Sequence, residues 1–288
     1  MRIDVRDLVL RYGETTALDG LTFTLESGKI YGLLGRNGSG KSSLTSVLAA
    51  FRRQTSGEAL VDGRPVFENA DLTRRIGLVR DEGEAITIGT VEDALYFAEG
   101  LRPNWDAGYA RSLLETFGIP PKANVKAMSK GQRSALGVVV GLASRTPLTM
   151  FDEAHLGMDV PSRQAFHDAL LADYMAHPRT FVLASHLIEE AAPLFEEVLI
   201  IDRGRLVVQE DAGTLLSRGV SVTGPVARVD AFTAGLTVLG ARDLGPTRSA
   251  MVYGDLDDTR RREAAEAGLE LGPVAMQELF VHLTGGPR

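Results

Sequence analysis

Short apolar runs bounded by turn residues alternate along this chain with longer stretches of helical period. Polar and apolar residues alternate over 2–9 and again over 21–25, which predicts two half-buried strands flanking Arg11-Tyr12-Gly13. The run Lys29-Ile30-Tyr31-Gly32-Leu33-Leu34 predicts a buried strand, and Ser43 to Ala50 after it can carry a helix. Further short strands are expected at 58–61, closed by the turn Asp62-Gly63, and at 76–79. The texture then turns helical. Over 90–101, Val91, Ala94, Leu95, Phe97 and Ala98 recur at helix spacing. Asp106 is placed to cap a second helix through Leu113, Leu114 and Phe117, ended by Gly118 and Pro120. Ser129 is placed to cap a third, reaching about Ala143. Strands return at 148–151, 180–184 and 198–201, and helical pattern separates the first two. That order predicts βαβ units of a parallel sheet. From about 218 the segments are short and mixed, with helices expected at 257–267 and 275–284.

This reading yields an α/β domain over 1–217 and a small C-terminal α+β domain over 218–288. The 288 residues are 44% hydrophobic and 24% charged, an ordinary globular composition. A net charge of −7 argues against a nucleic-acid partner. The absence of cysteine excludes disulfides, thiol catalysis and cysteine-bound zinc. No apolar run approaches the roughly 18 residues of a membrane span. Met1 to Asp7 alternates like a strand rather than a signal peptide, so a cytoplasmic location is expected.

Candidate chemistry starts at Gly35-Arg36-Asn37-Gly38-Ser39-Gly40-Lys41-Ser42, which fits G-x-x-x-x-G-K-[ST] at every fixed position. A strand precedes it and a helix follows, the context the motif needs. Gly38 and Gly40 let the backbone curl so that its N–H groups face phosphate oxygens. The helix beginning near Ser43 offers its N-terminal partial charge to the same anion. Lys41 would reach the outer phosphates and the Ser42 hydroxyl would ligate Mg2+. The apolar strand 148–151 runs into two acids. Asp152 stands where a second magnesium-holding carboxylate lies in such NTPases, and Glu153 is placed to polarise an attacking water. These pieces predict a P-loop NTPase that uses Mg2+, and the nucleotide, ATP, is what the resemblance below implies.

Met128-Ser129-Lys130-Gly131-Gln132 narrows the reading. The chain closely resembles the nucleotide-binding subunits of ABC transporters, whose signature is Leu-Ser-Gly-Gly-Gln. This version keeps Ser129, Gly131 and Gln132. The likeness is strong over about 1–215. It implies the ABC ATPase fold: a mainly parallel sheet core, a flanking antiparallel β subdomain and a helical insertion over about 83–140. It also implies an ATP-driven dimer in which Ser129, Gly131 and Gln132 of a second ATPase subunit complete the site, and a separate integral-membrane permease that places the chain on the inner face of the membrane. Tyr12 stands where an aromatic ring stacks on adenine. Gly157-Met158-Asp159 matches the loop that crosses the dimer interface, and His186 matches the switch histidine that senses the γ-phosphate. The remaining histidines, His155, His167, His177 and His282, match nothing in the family and are expected to be surface or packing residues.

Two departures stand out. Asp81 occupies the position of a usual glutamine, where it could still meet Mg2+ or a water. Lys130 replaces the first signature glycine, as in relatives that drive ABC-2-type exporters, and Arg102-Pro103-Asn104-Trp105-Asp106 resembles the same subgroup. The tail resembles it weakly, chiefly at 276–284. The expected function is therefore ATP hydrolysis that powers an exporter. A soluble ABC-type ATPase without a permease, and a non-hydrolysing ATP-gated module, are the competing readings. In the family a permease helix docks beside the helical insertion. Here that groove is expected at 80–90 and along parts of the 90–118 helices, with Ala85-Ile86-Thr87-Ile88-Gly89 as its apolar contact.

Overall fold

The computed structural model describes residues 1–80 and 89–285. Asp81 and the stretch Ala85-Ile86-Thr87-Ile88 lie outside the described residues.

The chain opens with a hairpin of β1 (Ile3–Tyr12) and β2 (Thr15–Leu25), followed by β3 (Ile30–Leu34) and α1 (Lys41–Leu48). The hairpin is longer than the expected strands 2–9 and 21–25. Its register shifts between Val5 and Leu8, between Leu8 and Val9 and between Leu10 and Arg11. Each shift resets the period-two alternation, so the pattern breaks although the strand continues. Next come β4 (Ser56–Val61), β5 (Arg64–Pro65), the short α2 (Ala70–Thr73) and β6 (Ile76–Arg80).

The helical part follows as α3 (Val91–Leu101), α4 (Ala107–Thr116) and α5 (Lys130–Ala143). Thr90, Asp106 and Ser129 cap these helices through their side chains, with Thr90 and Ser129 in capping boxes. The fold returns to the sheet with β7 (Leu148–Asp152), α6 (Val160–Ala176), β8 (Thr180–Ala184), α7 (Ile188–Ala191), β9 (Glu197–Asp202) and β10 (Arg205–Asp211). After α8 (Ala212–Ser217) come β11 (Gly219–Pro225), α9 (Val226–Thr233), β12 (Thr237–Leu244) and β13 (Thr247–Tyr253). The described chain ends with α10 (Asp258–Glu266), β14 (Glu270–Pro273) and α11 (Met276–Gly285).

Among the described residues the strands form three sheets. The central one has six strands in the order β10-β9-β3-β8-β7-β6. Only the β9–β10 pair is antiparallel, and the rest run parallel. Crossover connections of this kind need helices on the faces, and the completely buried strands β3, β7 and β8 read as continuous apolar runs for that reason. The second sheet, β2-β1-β4-β5, is antiparallel. Helix α1 fills the space between the two sheets, where Leu44, Val47 and Leu48 join a core with Leu18, Leu21 and Met150. On the other face, Leu136, Val139 and Leu142 of α5 pack with Phe151, Phe166 and Phe181. Buried Asp173 of α6 binds both Arg145 and Arg179, and Arg145 also lies over the Tyr109 ring at 4.4 Å, tying α4 to the sheet.

The third sheet, β12-β13-β11-β14, is antiparallel and carries its own core of Val220, Val222, Val229, Phe232, Ala250 and Val252. Helices α10 and α11 fall where the period placed them. Helix α11 nonetheless leaves this small core: Met276 and Leu279 are buried in the large one with Ile188 and Ala191 of α7.

Candidate active site

Parallel pairing aligns the C-terminal ends of three strands. Asp152 of β7 pairs with Ala184 of β8, and Ala184 is level with Leu33 of β3. The residues that leave those ends are Gly35 to Lys41, Glu153 and His186, which therefore converge on one edge of the sheet. Open α/β sheets bind ligands outside the carboxyl ends of their strands.

The loop after β3 is shaped by close approaches. Gly40 has φ 108°, and a Cβ there would lie 2.6 Å from the Ala17 carbonyl oxygen, so only glycine fits. Gly40 is also the N-cap of α1, and no side chain caps that helix. Its first-turn amides are left for another acceptor, the arrangement of an anion site. Lys41 was expected to reach the outer phosphates. It is 6% exposed, and its Nζ donates to the carbonyl oxygens of Gly35 (2.6 Å) and Arg36 (3.3 Å). Burial lowers its pKa, and the nearby carboxylates of Glu153 and Asp152 work against that shift. Phosphate oxygens would compete with the two carbonyls for the same ammonium. Ser42 Oγ donates to Asp152 Oδ1 at 3.2 Å, and Thr45 donates to Asp152 Oδ2 at 3.1 Å. Ser42 and Asp152 thus form an oxygen-lined corner at the foot of α1, a donor set that suits a hard cation. Thr45 was missed by sequence reading, although its place one helical turn after Lys41 puts it on the face toward β7.

Glu153 adopts φ 54°, outside the usual range for a residue with a side chain. Its amide donates to the Ala184 carbonyl oxygen at 2.9 Å, which holds the turn in place. Its Oε2 lies 2.6 Å from His186 Nδ1, so the expected water-activating acid and the expected switch histidine are in contact. His155 was expected to be a surface or packing residue. It is buried at 6% exposure, but its Nε2 lies 3.5 Å from the same Glu153 oxygen, and its ring is 5.5 Å from that of His186. Burial pushes its pKa down to about 4, with His186, His167 and Arg163 adding smaller repulsive contributions. Its position two residues after Glu153 was the available signal. His167 is buried on α6, and the His282 ring lies against Gly240, both packing positions.

The signature segment starts α5. Ser129 Oγ accepts from the Gln132 amide at 3.2 Å, and the Gln132 side chain accepts from the Ser129 amide at 2.9 Å. Ser129 and Gln132 are exposed. A Cβ on Gly131 would lie 2.3 Å from the Gly157 carbonyl oxygen, which explains why glycine stands here while Lys130 stands one residue earlier. The same loop is tied to α5 where Ser134 donates to the Leu156 carbonyl oxygen at 2.7 Å. Asp159 caps α6 by accepting from the Ser162 amide at 2.9 Å. Tyr12 ends β1, 43% exposed, with the Arg52 guanidinium 5.7 Å from its ring centre. Asp81, expected near the metal corner, is outside the described residues.

Comparison with known proteins agrees with this geometry. The family model described as "ABC transporter" matches residues 18–155. The methionine import ATP-binding protein MetN of Rhizobium johnstonii is 30% identical over 293 residues, covering 98% of this chain and 77% of its own. The daunorubicin/doxorubicin resistance ATP-binding protein DrrA of Streptomyces peucetius is 29% identical, covering 99% of this chain and 93% of its own. Among solved structures, the ATP-binding subunit of an ABC transporter superposes with a TM-score of 0.68 at 21% identity, covering 75% of this chain and 92% of that one. A dimeric ATP-binding cassette bound to ADP and phosphate gives a TM-score of 0.65 at 18% identity over 73% of this chain and 98% of that one. With its phosphate loop, its paired acids and a relative that matches nearly end to end, the chain belongs to the ABC transporter family as an ATP-binding, ATP-hydrolysing subunit.

Proposed function

We propose that this subunit drives an exporter, closing on ATP as a dimer and acting on a separate membrane permease. The observation that carries the catalytic part is the convergence of the uncapped α1 terminus, Lys41, the Ser42–Asp152 corner and the Glu153–His186 pair on one sheet edge. In this reading Gly35, Arg36, Asn37, Gly38, Ser39, Gly40 and Ser43 wrap the phosphates. Lys41 neutralises their charge, and Tyr12 stacks on the base. Mg2+ would be held by Ser42 and Asp152, with Asp81 as a third candidate, and would neutralise charge on the transferring phosphate. Glu153 orients the attacking water, and His186 positions Glu153 and meets the γ-phosphate. Such chemistry is mostly placement and charge neutralisation. Because Ser129, Gly131 and Gln132 begin a helix that is already capped and exposed within one chain, they are available to a nucleotide on a second subunit, with Asp159 at the same interface.

No described helix is long and apolar enough to cross a membrane, and the spanning part of the proposed transporter is assigned to a permease. An apolar groove bounded by Phe51, Val79, Arg80, Arg102, Leu136 and Val140 is the docking site we assign to it. Its described walls come from β6, α5 and the end of α3. Export as the direction rests on Lys130, on the 102–106 segment and on likeness to a drug-resistance protein. Likeness to a methionine import protein favours the opposite direction. We further place a boundary near 217, with the β11–β14 sheet as the small domain. Co-purification of the permease, reconstitution and ATP-driven flux across oriented vesicles test this reading. Export moves substrate away from the ATPase side, and flux toward that side would reverse the assignment.

A further inference from the structure

We propose that Glu153, His155 and His186 form a binding site for a divalent transition-metal ion, Zn2+ being the type, and that the bound ion switches hydrolysis off. Each of the three offers a ligand atom: Glu153 Oε2, His155 Nε2 and His186 Nδ1. One ligand atom from each residue lies within 4.8 Å of those of the other two. Zinc takes imidazole nitrogens and a carboxylate oxygen at about 2.0–2.2 Å in a tetrahedron, so its ligand atoms stand about 3.3 Å apart. The His155–Glu153 pair already has that spacing, at 3.5 Å. The His186–Glu153 pair, at 2.6 Å, must open slightly. The His186 side chain is 44% exposed and has room to turn.

His155 is the telling member. Its side chain is 6% exposed, and Nε2 has no hydrogen bond among the described residues. A buried ring nitrogen is normally satisfied, and one that is not calls for an explanation. The ring stands on an apolar floor that includes Phe151, Phe166, Leu183 and Ala191. His167 and Ser185 line the same pocket, and the carboxylate within reach of Nε2 is that of Glu153, at 3.5 Å. Two nitrogens and one carboxylate select a borderline ion over Mg2+, which prefers an all-oxygen shell. The site is therefore chemically distinct from the Ser42–Asp152 corner, and an excess of Mg2+ does not fill it.

Three protein ligands leave a fourth position open, so the ion can bind without rebuilding the loop. Bound there, it engages Glu153 Oε2 and His186 Nδ1 together. The atom that would orient the water and the side chain that would meet the γ-phosphate are then both occupied. This inhibitory part rests on the roles proposed above for Glu153 and His186, whereas metal binding itself does not.

The test uses the full chain, stripped of metal and without nucleotide, titrated with Co2+ and followed by its visible absorption. One equivalent should bind with the strong bands of a low-coordinate site, in the presence of excess Mg2+, and Zn2+ should displace it. His155→Asn should weaken Co2+ at least tenfold. His177→Asn, on an exposed residue at the end of α6, should retain the parent affinity. Equal affinity in His155→Asn and the parent, or loss in the His177 variant as well, overturns the site. If His155→Asn does not fold by circular dichroism, His186→Asn removes an exposed ligand and must give the same weakening. Buffered free Zn2+ should then inhibit ATP hydrolysis by the parent at saturating Mg-ATP, with at least tenfold more needed for His155→Asn. Cobalt binding without zinc inhibition overturns the switch and leaves the site. A parent with no hydrolysis fails the proposed catalytic roles, and the cobalt titration still decides the metal.

Discussion

Helices α1 and α5 both begin on small residues near the sequence motifs of the site, and their N-termini are finished in opposite ways. At α1 the cap is Gly40 in the left-handed region, no side chain accepts from the first-turn amides, and the first residue, Lys41, is buried. At α5 Ser129 and Gln132 close a capping box on the protein surface. A capping box satisfies amides that would otherwise need water or a ligand. The α5 terminus is thus complete in the free chain and holds its shape before any nucleotide arrives. The α1 terminus has no side-chain acceptor for its first-turn amides and depends on backbone geometry for its form. In the proposed dimer, one chain's ligand-dependent terminus would meet the other's self-sufficient one across a single ATP.

The sharpest way to break this comparison is to let the two termini meet and stop the chemistry. Glu153→Gln should lower hydrolysis about 10²–10⁴-fold, the range for loss of a general base, while ATP stays bound and holds the dimer together. Sedimentation of this variant as a monomer at saturating ATP would separate the two termini for good. Next comes the α1 side alone. Lys41→Ala removes charge-assisted bonds to phosphate worth about 1.5–3 kcal/mol, so ATP affinity by calorimetry should fall roughly 10–100-fold with the fold intact. An unchanged affinity would take Lys41 out of the phosphate site.

The α5 side responds differently. In Gly131→Ala the new methyl meets the Gly157 carbonyl oxygen, a clash expected to cost about 1–3 kcal/mol in urea unfolding. Monomer ATP affinity should persist, while ATP-dependent dimerisation of the Glu153→Gln background should weaken. If nucleotide affinity in the monomer fell as well, the two termini would be coupled within one chain. The smallest effect belongs to Ser129→Ala, which removes a helix cap worth about 1 kcal/mol. Its stability loss should be modest, monomer ATP binding equal to the parent, and steady-state hydrolysis reduced. Full hydrolysis in this variant would reduce Ser129 to a cap and nothing more.

Local chemistry was legible without coordinates. The glycine-loop-helix order at 35–43, the caps Asp106 and Ser129 and the apolar strands each depend on residues a few positions apart, and so the sequence pattern carries them. The hairpin was underread because register shifts interrupt its alternation. Helix α9 went unnoticed because its eight residues lie between strands and no side chain caps its start. The approach of His155 Nε2 to Glu153, at 3.5 Å, went unread because the turn that brings the two side chains together is set by the sheet and not by the local pattern.

What the sequence by itself determined is the phosphate-loop motif, the pair of acids ending the β7 run and the capped start of α5, since each is a pattern of a few contiguous residues. What only the tertiary structure decided is which of these parts meet. Glu153 reaches His186 across 33 residues of chain because β7 and β8 are neighbours in the sheet. The signature helix abuts the 157–159 loop because Gly131 admits the Gly157 carbonyl. Helix α11 bridges the small sheet and the large core because Met276 and Leu279 find apolar partners on α7 while Leu279 and His282 lie against Gly219 and Gly240. In each case the physical reason is the same. Strand order and helix packing follow from burying apolar faces across the whole chain, and that competition has no local signature.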